Sequence, residues 1–293
     1  MDLQKLKKKL LMEEVRRQRK KSKFWRFLLP GSLLGLILLF AGLAFYLTHF
    51  DRLLEEDYAQ AERRLASGDY EQALDDFESI YRRHPTYQRA PQALFQSAEI
   101  LNLYLRRYQE ALLAYLLVEK DFPGSEMSRR AREQVAEIYK NRLRDYPRAI
   151  VAYQKLLDSG AREPDRMQYE VADTYFRLEN FEQARIEFES LSKSYPASRY
   201  LPEVRYRIGV TYSLEGDQVR AAKSFREVAT TWPQSPFALE ARFGLATVLE
   251  EREELQAALA ELQLLKGVYP NQEALAKKLD QVQRRIDKKK RAI

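Results

Sequence analysis

From Asp51 onward, apolar positions recur at three- and four-residue intervals among charged ones, the mark of helices that each bury one face. Within that rhythm a small residue is followed four places later by a large one, six times. The pairs are Ala73 and Phe77, Ala111 and Tyr115, Ala149 and Tyr153, Ala184 and Phe188, Ala221 and Phe225, and Ala258 and Leu262. The steps between pairs are 38, 38, 35, 37 and 37 residues. A second small residue (Ala61, Ala98, Ala136, Ala172, Gly209, Ala246) precedes each pair by 12 or 13 places. Three places before each pair stands Tyr70, Tyr108, Tyr146, Phe181, Gln218 or Leu255, with Gln218 the one polar departure. A proline follows the large residue by eight (Pro85, Pro123, Pro196, Pro233, Pro270), except in the third unit, where Ser159, Gly160 and a displaced Pro164 replace it.

A period of this length predicts a stack of two-helix units. The small residues let paired helices approach closely, and the large residue one turn on fills the space beside them. Gly68-Asp69 and Gly216-Asp217 predict the turn inside a unit, and each proline predicts the end of a second helix. Ser125, Ser198 and Ser235 are placed to cap the next first helix, with Pro236 at its first position. No convincing strand alternation appears. The predicted fold class is all-α: a solenoid of about six helix pairs over residues 51–270, closed by a capping helix in 271–293. Asn271 would cap that last helix, and Leu275, Leu279, Val282 and Ile286 form its apolar stripe.

The stretch Phe27–Phe50 has no such polar face and carries no charged side chain. Thirteen of the 21 residues from Phe27 to Leu47 are Leu, Ile or Phe, which favours the bilayer by about 4–8 kcal/mol. The run matches the hydrocarbon thickness and exceeds the core of a cleaved signal peptide, so residues 27–50 are expected to form one retained transmembrane helix. Residues 1–26 hold eleven Lys or Arg against three acids, and Asp51, Glu55, Glu56 and Asp57 follow the run. This contrast places the basic tail in the cytoplasm and the repeats on the far side. No proline or glycine lies between Gly42 and Gly68, so the membrane helix is expected to continue into the first repeat.

Charge and composition then exclude several kinds of chemistry. The formal charge of +7 belongs to the tail, because residues 51–293 carry 39 basic and 40 acidic side chains. The large domain has no bulk electrostatic reason to bind nucleic acid. There is no cysteine, and His49 and His84 are the only histidines, which removes disulfides, thiol catalysis and a histidine metal cluster. No glycine-rich phosphate loop occurs, and the plentiful carboxylates read as solvated helix faces. No catalytic residue, cofactor or metal site is expected, and the chain is not expected to be an enzyme.

The spacing resembles the tetratricopeptide repeat (TPR). Gly209, Tyr212, Gly216, Ala221, Phe225 and Pro233 fall at that family's positions in one unit, and Ala172, Tyr175, Phe181, Ala184, Phe188 and Pro196 in another. Units of about 37 residues with Pro-x-Ser between them resemble the long-repeat type of bacterial envelope proteins, including an outer-membrane assembly lipoprotein, a Tol-Pal-associated protein and membrane-anchored translocon accessories. The resemblance implies a non-catalytic scaffold whose partners are other envelope proteins or peptide segments, in the inner membrane with its repeats in the periplasm, and it leaves a homo-oligomer open. The alternative it allows is an organelle-membrane TPR receptor with cytosolic repeats. It also draws attention to Phe95, Tyr169, Tyr206 and Phe243, each three places before the small residue of a first helix, with Glu133 breaking the column. In such repeats these positions either line a partner groove or pack between helices.

Overall fold

The computed structural model describes residues 3–291, with the side chains of 6–17, 36–45 and 51–291. All regular structure among the described residues is helical. The chain forms two compact units, Met1–Ile100 and Leu101–Ile293.

The first unit holds α1 (Leu3–Ser67), α2 (Tyr70–Arg83) and α3 (Ala90–Glu99). α1 is one unbroken helix of 65 residues, and its C-terminal turns are the first helix of the first repeat: Leu54, Tyr58 and Ala61 are buried. Tyr58 meets Phe77 edge-on at 5.3 Å, and Arg64 Nη1 donates to both carboxylate oxygens of Asp76 at 2.8 and 2.7 Å. The transmembrane helix expected over 27–50 finds no support in the described residues, among which no helix is long and apolar enough to cross a membrane. The side chains of 27–35 and 46–50, which would complete the apolar run, lie outside the described residues, and so do those of 18–26 in the basic tail.

The second unit stacks α4 (Tyr108–Asp121), α5 (Glu126–Glu137), α6 (Tyr146–Asp158), α7 (Pro164–Arg177), α8 (Phe181–Ser194), α9 (Leu201–Leu214), α10 (Gln218–Thr231), α11 (Pro236–Glu251), α12 (Leu255–Leu264) and α13 (Gln272–Arg291). Two first helices end in π-helical turns, Ile100–Tyr104 after α3 and Ile138–Leu143 after α5. These are the two repeats in which 13 rather than 12 residues separate the small positions. The extra residue is absorbed by widening the last turn, which keeps the following helix in register.

Every turn within a repeat contains one residue with left-handed backbone: Gly68, Arg106, Arg144, Glu179, Gly216 and Glu253, with φ between 53° and 86°. Only two are glycine, so the other four hold a conformation that an L side chain resists. Four second helices end two residues before a proline. The intervening His84, Phe122, Tyr195 and Trp232 all leave helical geometry near φ −130°, ψ 60°, because the proline ring excludes a helical residue before it. Pro164 plays the opposite part and opens α7. Ser125 Oγ accepts from the Ser128 amide at 3.0 Å, and Ser235 Oγ from Phe237 at 3.2 Å, so both cap as expected. Ser198 Oγ likewise accepts from the Tyr200 amide at 3.2 Å, but α9 begins only at Leu201, so that bond closes the turn before the helix, and the hydroxyl donates to Asp165 Oδ2 at 2.7 Å.

All twelve residues of the small-then-large pattern are buried. Phe225 shows how. A Cβ added at Gly209 on α9 would lie 2.7 Å from its ring, and one at Gly244 on α11 would lie 3.0 Å away. The ring therefore fills the gap between α9 and α11 while its own backbone belongs to α10. At the C-terminal end α13 covers the last pair with Leu275, Val282 and Ile286, and Asn271 caps it by accepting from Ala274 at 2.9 Å. The buried Glu250 on α11 ties α13 down, 2.6 Å from Lys278 Nζ and 3.0 Å from Arg285 Nη1. Burial opposes ionisation of Glu250, yet those two cations hold its carboxyl below the usual range.

Two expectations follow. Phe225→Ala should lower stability by about 3–5 kcal/mol. Gly209→Ala should also destabilise, because overpacking costs about 1–3 kcal/mol and the gain in helix propensity is about 1. If the two sites share one gap, Phe225→Leu will cost less in the Gly209→Ala background than in the wild type, as read by urea unfolding. Second, Glu179→Gly should raise stability by about 0.5–1 kcal/mol, since relief of left-handed strain exceeds the added chain entropy. A melting temperature unchanged or lowered would show that the turn carries no such strain.

Candidate protein-interaction site

The aromatic column is a bridge between repeats. Phe95 is fully buried in the first unit. Tyr169, Tyr206 and Phe243 are half-buried in the second. Tyr169 lies 5.9 Å from Phe188 of its own repeat and stacks at 5.0 Å on Tyr200, which leads into the next. Its hydroxyl donates to Glu203 Oε1 at 2.5 Å. Burial first, and that hydrogen bond second, push the Tyr169 phenol well above its ordinary pKa. Tyr206 repeats the arrangement with Phe225 at 5.7 Å and Phe237 at 5.8 Å. Phe243 stacks on Tyr269 at 5.0 Å with the rings 4° from parallel. The Tyr269 hydroxyl donates to Glu240 at 3.0 Å, and burial with that bond raises its pKa to about 12. Tyr169 and Tyr206 thus each pack on a second-helix ring and on the aromatic that opens the following repeat, and Phe243 shares the latter contact.

Tyr58 belongs to the same column, three places before Ala61, and packs on Phe77 with Arg89 4.8 Å above its ring. The register that identifies it was present in the sequence. The column breaks at Glu133, and there charges take over. Arg166 lies 3.7 Å from Glu133 and 3.9 Å from Glu137. Lys140, in the π-helical turn after α5, is buried, with Nζ 2.5 Å from Glu170 and 2.6 Å from Asp173 on α7. Asp173 also accepts from Arg177 Nε at 2.9 Å and sits 3.8 Å from Arg207 on α9, which reaches Glu203 at 3.5 Å. Burial opposes the charge on Asp173, but Lys140 and the bond from Arg177 outweigh it and hold the carboxyl below its usual range. This network escaped sequence reasoning. Its one trace there was the 13-residue spacing that signals the π-helical turn.

Among the described residues no three His, Asp or Glu side chains are grouped to hold a metal ion. The carboxylates pair with cations and the tyrosines with carboxylates, which is the chemistry of a rigid surface. Hairpins stacked through small-to-large contacts and interrepeat rings define an α-solenoid scaffold. The sequence model of the tetratricopeptide repeat matches residues 58–126, 141–199 and 215–273, well over half of the chain. The chain belongs to the tetratricopeptide-repeat family. Its fold is similar to that of a tetratricopeptide repeat protein from Parabacteroides merdae, at 15% identity and a TM-score of 0.50, covering 78% of this chain and 98% of that one. It is also similar to apo RapI, at 13% identity and 0.53, covering 72% and 75%. PilW, described as a widely conserved type IV pilus biogenesis factor, matches at 16% identity and 0.49, covering 78% and 98%. Likeness at these identities is one of fold. No curated protein sequence matches the chain.

Removing Lys140 tests the network. Lys140→Met leaves the buried Asp173 and the partly buried Glu170 with less compensation, and stability at pH 7 should fall by about 3–5 kcal/mol. The folded pKa of Asp173 lies below its ordinary 3.8. Its contribution is therefore fully present above that value and is lost as pH falls through the folded pKa. The gap between wild type and variant should narrow in that acidic window. A gap that stays constant from pH 7 down to acid would mean Lys140 acts by packing alone.

Proposed function

We propose that this chain is a non-catalytic TPR scaffold for segments of other proteins, tethered to the bacterial inner membrane with its N-terminus in the cytoplasm and its repeats in the periplasm. The observation that carries the tether is on α1. Leu36, Ile37, Leu38, Leu39 and Phe40 are five consecutive exposed apolar side chains. Five residues exceed one turn, so they face every side of the helix. A helix apolar all round calls for an apolar surrounding. The charge-free run 27–50 and the basic tail before it supply the length and orientation of a single span. The long repeat period supports a scaffold of the envelope type. The charge bias disfavours an organelle receptor with cytosolic repeats.

The test is topological. Protease added to spheroplasts should remove the repeats and leave a membrane-bound N-terminal fragment. Leu38→Lys should weaken insertion, because a charge at mid-span costs about 2.5–3.5 kcal/mol, without abolishing it. Repeats protected in intact spheroplasts, or a protein wholly in the soluble fraction, would overturn the tether and leave the scaffold standing.

A further inference from the structure

A second, open surface lies on the second helices of repeats two to four. Two places after the buried small residue of each stand Leu113, Val151 and Ile186, all more than half exposed. The same position is Asp75 in the first repeat and Lys223 in the fifth, so the aliphatic stripe is bounded at both ends. Between α4 and α6, over α5, the stripe opens into a cleft of about 420 Å³. Its floor is apolar, made chiefly by Leu116, Val135, Tyr139, Val151 and Leu156. Its rim carries three cations, Arg132, Arg148 and Lys155, against one carboxylate, Glu119. Glu119 is shared: Lys155 Nζ donates to it at 2.7 Å, and Arg132 Nε lies 3.2 Å away. Arg148 stands at the other end, 3.0 Å from Asp145. Lys155 and Arg148 are both about two-thirds exposed.

We propose that this cleft receives an acidic amphipathic segment of a partner protein, which plants an apolar side chain on the floor and sets carboxylates against Arg148 and Lys155. Two observations choose this occupant. The excess of cations on the rim asks for a negative partner. The exposed aliphatics continue past the cleft to Ile186 on α8, beyond the reach of a small ligand seated between α4 and α6 but within that of a helix lying across the repeats. The column of Tyr169, Tyr206 and Phe243 spends its rings inside the stack, whereas the cleft spends nothing there. The inference rests on the protein-binding reading above and is independent of the membrane tether.

The probe is a fluorescein-labelled amphipathic helix with Leu and Phe on one face and Glu on the other. Its counterpart carries Lys in place of every Glu. Anisotropy is read against the full chain in zwitterionic nanodiscs, with empty nanodiscs subtracted. The acidic peptide should bind at least about tenfold more tightly than the basic one. Val151→Glu, at an exposed position that leaves the core intact, should weaken it about tenfold or more, and Arg148→Glu with Lys155→Glu should invert the preference. Lys223→Glu, in the same register outside the cleft, should leave binding unchanged. Acidic-peptide binding that ignores Val151→Glu would overturn the cleft while sparing the scaffold reading. Equal binding of both peptides, or none of either, would also overturn it. Decanoate that binds at Val151 while the peptide does not would reassign the cleft to a small apolar anion and overturn the proposal as well.

Discussion

The ring of Phe225, wedged against the backbones of α9 and α11 at Gly209 and Gly244, displays the constraint on which the second unit depends. A large side chain on each second helix needs a first helix on either side, and one of the two belongs to the next repeat. No pair can bury its own apolar face alone, so each is stable only in the stack. The ends need substitutes for the missing neighbour. At the C-terminal end α13 supplies one, with Val282 and Ile286 buried and Glu250 clamped by Lys278 and Arg285. The clamp fixes where the helix sits in a way that apolar contact alone does not, because a buried carboxylate is costly in any other register.

Much of this architecture was legible in the sequence because its cause is periodic. Small-to-large pairs recur six times and the prolines eight places on five times, and recurrence separates signal from accident. What was not legible is local. Arg106, Arg144, Glu179 and Glu253 occupy left-handed turns that nothing in their side chains announces; two glycines at the same register were the only clue. Ser198 carries the same Pro-x-Ser signal as Ser125 and Ser235, but α9 starts only at Leu201, so its bond from the Tyr200 amide falls before the helix while its hydroxyl donates to Asp165. Tyr58 was readable from its place before Ala61. Lys140 was not, because a lysine four places after a small residue reads as surface until the helix widens into a π-helical turn and carries it inward.

The third repeat is where the regular scheme lapses, and the lapses are connected. It lacks the column aromatic, having Glu133, and it lacks the terminal proline, having Ser159 and Gly160. Without a ring to bridge repeats, the polar contacts to α7 come from Glu133 and Glu137 of α5 with Arg166, and from Lys140 of the π-helical turn with Glu170 and Asp173. Charges in place of rings lower the net gain from burial but demand one geometry. The cleft between α4 and α6 opens at this same repeat, whereas the aliphatic stripe beside it runs on into the repeats on either side.

The continuity of α1 has a mechanical consequence under the proposed tether. Leu54, Tyr58 and Ala61 are buried at intervals of four and three residues, one stripe along the helix. Turning α1 about its axis would pull that stripe, and the Tyr58 ring that packs on Phe77, out of place. The rotation of the helix is therefore locked to the first repeat. A flexible linker would leave the direction of the repeats free and let them sweep a volume. An unbroken helix instead transmits its orientation in the bilayer to the first unit, whose buried core begins four residues, about 6 Å, beyond the apolar run. A scaffold held in that way presents the first unit to partners at the membrane surface at a fixed height and angle. Its selectivity then owes as much to placement as to contact chemistry.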